Sequence, residues 1–310
     1  LALTYDGAAP GAPRSLVAKF PSATEQNREL GRLFRFYERE YRFYTGLAST
    51  VPVRAPVAYF ADLNEETGDS VLLLEDLQYA ELCDQLAPPP DTDLMIIIDR
   101  AADLHSTFWG RGDEEPVQWV PAFTDPMNEG GVATFQMSWA PFVEKFEHTL
   151  NPRMKVLGES FPERMPGFME RLAQPPTTLV HADYRLDNLF FDRSSGGDPL
   201  RVIDWQLIGM ARGPYDVGYF MAQSVEPERR VRLEMDLLAR YHDRLKKNGI
   251  EGYSTEECLE DYKLAILLSM AIPVSAGGAM DLANDRGYSL IEAAAIRAFA
   301  AIEHLDADRM

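Results

Sequence analysis

Apolar and polar residues alternate near the start of the chain and predict two strands, LALTY at 1–5 and SLVAKF at 15–20. The Gly- and Pro-rich stretch DGAAPGAP between them indicates a hairpin connection. In residues 25–48 apolar side chains recur every three or four positions, which predicts one helix. VAYF (57–60) and VLLLEDL (71–77) predict two more strands around the turn NEETGD. The pattern therefore indicates a small, strand-rich first part.

The periodicity changes after Leu77, and the stiff segment APPPD at 87–91 predicts a linker. Residues 110–135 are rich in Gly, Pro and Asp and are predicted to be irregular. The predicted helices of the second part cover 93–109, 139–150, 163–173, 214–224, 227–247, 255–271 and 288–306. Among them, TTLVH, NLFFD and LRVID indicate three short strands, and a Gly-Gly turn joins the last two as a hairpin.

Composition and charge exclude some classes of protein. The 310 residues are 46% hydrophobic, enough for the core of one large or two modest domains. The net charge of −19 argues against a nucleic-acid surface, which needs a basic stripe. No run of about 18 apolar residues and no signal peptide is visible, so no membrane span is expected. Cys83 and Cys258 form no CxxC motif, which favours the cytoplasm; oligomeric state is not indicated.

Three oxygen-bearing side chains flank the predicted hairpin. Asp183 follows TTLVH, Asn188 begins NLFFD, and Asp204 ends the strand of LRVID. If these strands pair, the three side chains meet at one edge. Asn188 and Asp204 would then suit Mg²⁺ held together with substrate phosphates, and Asp183 could orient a hydroxyl group and take its proton. Taken singly, each residue is better explained as a turn or capping residue.

HADYRLDN followed by IDW resembles the catalytic loop and metal aspartate of the aminoglycoside phosphotransferase superfamily, which includes choline kinases and ecdysteroid-kinase-like proteins. LVAKF, EREYRFY, LLLEDL, LHSTFW and GPYDVGYF extend the similarity from Leu16 to about Phe220. The resemblance implies an α+β, bilobal protein-kinase-like fold with a small antiparallel-sheet N-lobe and a large, mainly helical C-lobe. We assign the N-lobe to residues 1–77, the hinge to 78–91 and the C-lobe to 92–310.

The same resemblance implies a role for each matching residue. Asp183 is the expected catalytic aspartate, and Asn188 and Asp204 are the expected metal ligands. Lys19 would contact the α- and β-phosphates of ATP, and Glu40 would be its ion-pair partner.

Physical chemistry supports this pair independently. An unpaired ammonium in the apolar strand of Lys19 would be unfavourable. Glu40 lies on the apolar face of the predicted helix, whereas the rival Glu38 lies about 200° away, toward solvent.

Four further residues take supporting roles by resemblance. Adenine would bond the backbone near Glu75 and Leu77, where the strand VLLLEDL enters the hinge. His181 would pack under the catalytic loop, and Asp216 would brace the backbone of that loop. His181 as a general base is the less favoured alternative, because Asp183 is better placed.

The sequence departs from the family pattern at two points. Ala182 stands where the family commonly has glycine, a change expected to be mild unless φ is positive there. The family's phosphate-binding loop and first strands are not visible before Lys19, so they are expected upstream of Leu1. Neither a P-loop, nor a dinucleotide-binding glycine motif, nor a nucleophile elbow occurs in the sequence.

These observations predict an ATP- and Mg²⁺-dependent phosphotransferase that acts on a hydroxyl group of a small molecule. A catalytically silent nucleotide-binding scaffold of the same fold is the alternative. A protein kinase is the weakest interpretation, because no A-P-E-like segment follows Asp204.

The acceptor is expected to bind in the helical part, within 110–165 and 225–310. Asp281 and Asp285 are candidates for binding a cationic acceptor, although capping of a loop is the favoured explanation for both. Aromatic residues, among them the four tryptophans, could form either a choline-type cage or an apolar pocket for a lipid or steroid alcohol.

Overall fold

The computed structural model describes residues 1–6, 11–194, 196–279 and 285–310. The first part contains an antiparallel sheet of three strands in the order β1-β3-β2. These strands are β1 (Leu16–Lys19), β2 (Ala58–Leu63) and β3 (Ser70–Glu75). The strand predicted at 1–5 is wrong, since that segment forms a single bridge, between Ala2 and Ser15.

The helix predicted over 25–48 is broken. It consists of α1 (Glu25–Leu33), α2 (Phe36–Arg42) and one π-helical turn at Phe43–Leu47. Arg35 separates the two α-helices with a left-handed φ of 53°, which ends the first and redirects the second. The apolar spacing continues across the break, so periodicity alone could not reveal it.

Within the described ranges the second part contains eight helices. Seven correspond to the predicted ones, and one, Ala271–Ala279, begins where the helix predicted over 255–271 ends and was not predicted. The first four are α3 (Asp91–Phe108), α4 (Glu129–Phe146), α5 (Pro152–Leu172) and α6 (Pro214–Ser224). The others are α7 (Pro227–Lys247), α8 (Thr255–Ser269), α9 (Ala271–Ala279) and α10 (Asp285–His304). Helices α4 and α5 begin well before the predicted positions, and prolines inside both had obscured their pattern.

Short strands flank the loop 181–188 and fix its position. β6 (Leu189–Phe191) and β7 (Leu200–Val202) form the predicted hairpin, and β4 (Glu81–Leu82) adds to its edge. β5 (Thr178–Val180) does not join them and instead pairs with β8 (Gly209–Ala211), a strand that was not predicted. The predicted hairpin is therefore present, whereas the condition that TTLVH also pairs with it is not met. The loop 181–188 runs from one small sheet to the other.

One helical stretch in the described part of the chain, Thr255–Ala279, has the length and apolar composition of a membrane span. Its most apolar window is 61% buried inside the molecule. Burial against other helices explains its hydrophobicity, because core helices of globular proteins pass the same criterion.

Candidate functional site

Lys19 at the end of β1 lies between two carboxylates. Its Nζ is 2.7 Å from Oε2 of Glu40 on α2 and 2.8 Å from Oδ1 of Asp204, which follows β7. Glu40 is 3% exposed, whereas Glu38 points elsewhere and pairs with Arg35. The contact expected from the apolar face is therefore present, although the helix carrying it is shorter than predicted.

Burial and charge act in opposite directions on this triad. Burial raises the pKa of Glu40 to about 7, although the nearby Lys19 ammonium partly opposes that shift. Burial alone would lower the pKa of Lys19, but the two carboxylates outweigh it and raise that pKa. Lys19 is therefore a permanent cation at neutral pH, held where β1, α2 and the end of β7 meet.

Asp183 and Asn188 are in direct contact. The Nδ2 of Asn188 donates to the backbone oxygen of Asp183 at 2.9 Å and to its Oδ2 at 2.8 Å. The backbone oxygen of Asn188 in turn accepts from the N–H of Ile203 at 3.0 Å, one residue before Asp204. This chain of contacts links the loop 181–188 to the end of β7, as the sequence had suggested.

Asp216 on α6 binds the backbone at the start of the catalytic loop. Its Oδ2 accepts from the N–H of His181 at 2.7 Å, and its Oδ1 accepts from the N–H of Ala182 at 2.9 Å. Ala182 has φ of 63°, in the left-handed region. The expectation that alanine is a mild replacement there is wrong, because a Cβ is sterically unfavourable at this φ.

Both ring nitrogens of His181 are occupied. Nδ1 accepts from the N–H of Asp183 at 3.3 Å, so Nε2 is the nitrogen that donates to the backbone oxygen of Ile203 at 2.9 Å. The ring is buried against Trp205 at a centroid distance of 4.7 Å. Neither nitrogen is free to accept a substrate proton, which leaves Asp183 as the candidate base.

Three residues at the site were missed by the sequence reasoning. The Tyr219 hydroxyl donates to Oδ1 of Asp183 at 2.8 Å, and Nε of Arg185 lies 3.2 Å from the same oxygen. His105, fully buried on α3, contacts Oδ2 of Asp216 at 3.1 Å through Nε2. The available signal was spacing: Arg185 lies two residues after Asp183, and Tyr219 lies one helical turn after Asp216.

A cleft of about 430 Å³ opens at Lys19 between the sheet and the helical part. Lys19, Glu40 and Asp204 lie at one end of it, and Glu75 and Leu77 line the other. Apolar side chains form its walls: Val17, Leu74, Phe190 and Ile203. The cleft therefore combines apolar walls with a charged end formed by one ammonium and two carboxylates.

A second cavity, of about 380 Å³, lies beside the catalytic loop and touches Ala182, Tyr215 and Leu207. We call it the acceptor cavity, a name that anticipates the role we propose for it. Most of its lining is apolar or aromatic and comes from α1, α2 and the break between them, from α4 and the segment before it, and from α5 and α9; examples are Phe34, Phe36, Phe123, Met169 and Ile272. No carboxylate lines it among the residues that the structure describes.

Of the two residues suggested for a cationic acceptor, Asp285 does not line this cavity. Asp285 is exposed at the start of α10, which fits the capping explanation, and Asp281 lies outside the described residues. The tryptophans do not form a cage: each packs against different neighbours, and none lines the acceptor cavity. Of the two possibilities left open for the aromatic residues, a cage built from the tryptophans is not formed.

Comparison with known proteins agrees with the resemblance seen in the motifs. Residues 111–250, which include the catalytic loop and Asp204, match the model of the Ecdysteroid kinase-like family. A comparison with curated protein sequences gives no match.

Solved structures give the fold. The chain is similar to an ethanolamine kinase of Plasmodium vivax, with 12% identity, a TM-score of 0.54 and coverage of 92% of this chain and 75% of that one. It is similar to the choline kinase LicA of Streptococcus pneumoniae, with 15% identity, a TM-score of 0.52 and coverage of 94% and 85%. It is also similar to a choline/ethanolamine kinase family protein of Mesorhizobium loti, with 17% identity, a TM-score of 0.51 and coverage of 88% of this chain and 83% of that one.

The chain therefore has the predicted protein-kinase-like fold, as found in structures of choline and ethanolamine kinases. Its central part is similar to the ecdysteroid kinase-like proteins.

Proposed function

We propose that this protein is a small-molecule kinase that transfers the γ-phosphoryl group of ATP to an alcohol. The observation that carries the proposal is the placement of the Lys19–Glu40–Asp204 triad at the end of an apolar cleft, linked through Asn188 to Asp183. The match to a kinase-like family model over 111–250 supports it. Phosphoryl transfer depends chiefly on positioning and on charge neutralisation, and this arrangement offers both.

ATP would lie in the 430 Å³ cleft. The adenine ring would lie between the apolar walls and bond the backbone near Glu75 and Leu77. The α- and β-phosphates would reach the ammonium of Lys19, which Glu40 holds in place. Glu40 lines the same end of the cleft but is almost completely buried, so its part would be to position Lys19.

The donor set at the phosphate end fits Mg²⁺. Both hydrogens of the Asn188 amide are used by Asp183, so its Oδ1 is the atom left to bind a cation. Asp204 offers carboxylate oxygens, and oxygen ligands shared with phosphates are what Mg²⁺ prefers. When bound, the ion supplies neutralisation of phosphate charge.

Asp183 would accept the proton of the attacking hydroxyl as the new O–P bond forms and ADP leaves. Tyr219, Arg185 and Asn188 all donate to its carboxylate, which fixes its orientation before the acceptor arrives. Preorganisation of this kind lowers the barrier without a covalent intermediate.

The acceptor would be a largely apolar alcohol bound in the acceptor cavity. The described lining contains aromatic and aliphatic side chains and no carboxylate that could bind the ammonium groups of an aminoglycoside. This chemistry favours a lipid or steroid-like alcohol over a polycationic sugar.

Substitution of Asp183 tests the proposal. Asp183→Asn should bind Mg·ATP as tightly as the wild type, while kcat falls by at least about 10²–10³-fold. Asp187→Asn is the matched control, since Asp187 lies in the same loop and also pairs with Arg185, at 3.0 Å. ATP consumption by purified protein across a panel of apolar alcohols gives the rates, and calorimetry gives the affinities.

Two outcomes would count against the assignment. If Asp183→Asn keeps most of its turnover, Asp183 is not the base. If the wild type binds Mg·ATP but phosphorylates no alcohol of the panel, the protein is instead a nucleotide-binding scaffold without catalysis.

A further inference from the structure

A buried arginine lies in the wall of the acceptor cavity. Arg39 on α2 is 4% exposed and precedes Glu40, the partner of Lys19. Among the cavity-lining residues that the structure describes, Arg39 is the sole charged one. Its surroundings are otherwise apolar, with the Phe36 ring 5.5 Å below the guanidinium carbon.

The guanidinium group of Arg39 has hydrogen-bond partners for only some of its N–H groups. Its Nη1 donates to the backbone oxygen of Ile208 at 3.1 Å, and its Nη2 donates to that of Phe34 at 2.7 Å. Its Nε is buried and has no hydrogen-bond partner. Within the described ranges Arg39 forms no ion pair, because the neighbouring Glu38 is bound by Arg35.

The charge of Arg39 nevertheless persists. Burial lowers the pKa of Arg39 to about 10, with a further contribution from Arg35, so the guanidinium remains protonated at neutral pH. A buried cation with neither a counter-ion nor a complete set of hydrogen bonds is unfavourable in a protein interior. Two backbone carbonyls, one aromatic face and the carboxylates of Asp125 and Glu38, which act on Arg39 from beyond ion-pair distance, compensate only part of that penalty.

We propose that Arg39 binds an oxyanion of the acceptor, so that the substrate is an apolar alcohol that also bears a carboxylate. This inference rests on the proposed function and narrows it. A carboxylate is the natural partner of a guanidinium that retains free N–H donors. The apolar lining would bind the hydrocarbon part, and Arg39 would fix which end of the molecule lies away from the catalytic loop.

A purely structural role for Arg39 predicts something different. The two carbonyls it binds belong to the segment after Asp204 and to the break between α1 and α2, so its loss would loosen both. A looser cavity would bind every ligand more weakly, and to a similar degree. Recognition of an oxyanion would change the preference between a charged and an uncharged ligand.

The test compares two ligands that differ in one group, 10-hydroxydecanoate and 1,10-decanediol, by calorimetry without nucleotide. The wild type should bind the acid at least about tenfold more tightly, as a charge-assisted hydrogen bond allows. The net charge of −19 opposes this preference, so non-specific attraction cannot produce it.

Three variants locate the effect. Arg39→Met should reduce the ratio of the two affinities to about one, and Arg39→Lys should retain part of it. Arg42→Met is the matched control, because Arg42 lies on the same helix, half-exposed, over the ring of Trp119. It should leave the ratio unchanged.

Equal binding of the two ligands by the wild type, or binding of neither, overturns the inference, as does a ratio that survives in Arg39→Met. The ratio of the two affinities in the wild type can overturn the inference even if a variant does not fold. Phosphorylation of both ligands is measured in parallel. Turnover of the diol without any preference for the acid refutes this inference alone, whereas preference for the acid without turnover refutes the kinase assignment alone.

Discussion

Two residues of the site adopt left-handed backbone dihedrals, Ala182 with φ of 63° and Asp204 with φ of 65°. Aspartate tolerates this region better than alanine does, because its side chain can bond locally. At Ala182 the conformation turns two successive N–H groups toward Asp216. The loop therefore carries strain next to Asp183, the proposed base, and the bonds to Asp216 maintain the strained conformation.

Ala182→Gly should raise the free energy of unfolding by about 0.5–1 kcal/mol. Glycine removes the unfavourable contact of Cβ, although its greater freedom in the unfolded state offsets part of the gain. Urea denaturation measures the difference. Ala239→Gly on α7, where the backbone is helical, is the control and should lower stability by about 1 kcal/mol. A similar loss in both variants would contradict the strain at Ala182.

Glu40 and Glu38 lie two residues apart on α2 and respond oppositely to their surroundings. Burial raises the pKa of Glu40, whereas the bond from Arg35 lowers the pKa of Glu38. A raised carboxyl pKa means that the folded state binds the proton more tightly than the unfolded state. The contribution of Glu40 to stability is therefore present below about pH 4.5 and is lost as pH rises toward 7.

Glu40→Gln should consequently gain stability relative to the wild type between pH 5 and pH 8, by up to about 3 kcal/mol. The lowered pKa of Glu38 gives stability that is lost only on acidification below about pH 4.5, so Glu38→Gln should show a flat difference over the same range. Urea denaturation of the three proteins at each pH tests this. A flat difference for Glu40→Gln would show that its carboxyl is not perturbed by burial.

Among the elements, the contact of α6 with α8 is decisive for the site, because α6 carries both Asp216 and Tyr219. The helices approach closely at Gly218. A Cβ added there would lie 2.6 Å from Cβ of Ala265 and 2.9 Å from the backbone oxygen of Tyr262. The absence of a side chain at Gly218 thus sets the depth of α6 and the position of the groups that hold the catalytic loop.

Gly218→Ala should destabilise the protein by about 1–3 kcal/mol through overpacking and should lower kcat more than it raises the KM for ATP. The displaced side chains contact the catalytic loop rather than the nucleotide. Gly167→Ala on α5 is the control: nothing lies within 4 Å of the added methyl group, so a gain of about 0.4–1 kcal/mol is expected. Equal stability and kinetics in the two variants would refute the close approach of α6 and α8.

On the scale of the whole molecule, the candidate site is shared between two parts of the chain. Lys19 and Glu40 come from the small first part, and Asp204 comes from the helical part. The stacking of Phe43 on Trp205, at a centroid distance of 4.0 Å, joins the parts directly behind the triad. A nucleotide in the cleft would contact both parts at once and stabilise their arrangement.

Mg·ATP at about 100 times its Kd should raise the free energy of unfolding by about 2.7 kcal/mol. Asp204→Asn should lose the part of this stabilisation that depends on the metal. Its thermal shift with ATP and Mg²⁺ should therefore equal its shift with ATP and EDTA. Differential scanning fluorimetry compares the four conditions. If the wild type itself shows no difference between Mg²⁺ and EDTA, the proposed metal site is wrong.

Local features of the sequence were sufficient for most of the helices and strands, whereas the fold class came from the resemblance to a known family and the assigned roles of the site residues stay predictions. The hairpin of β6 and β7 follows from a Gly-Gly turn between two apolar stretches, and both partners are close in the chain. The resemblance implied the pairing of Lys19 with Glu40, and helical geometry and the penalty for burying a lone charge supported it. Such inferences succeed because they depend on neighbours within a few turns of the chain.

Tertiary structure alone decided the rest. The pairing of β5 with β8, the break at Arg35 and the left-handed φ of Ala182 each depend on contacts with distant segments. Arg39 shows the principle most clearly: as a letter beside Glu40 it resembles any surface arginine, and folding places it without a counter-ion in an apolar cavity. Periodicity tells which face of a helix is apolar, but burial and unsatisfied charge are properties of the packed molecule.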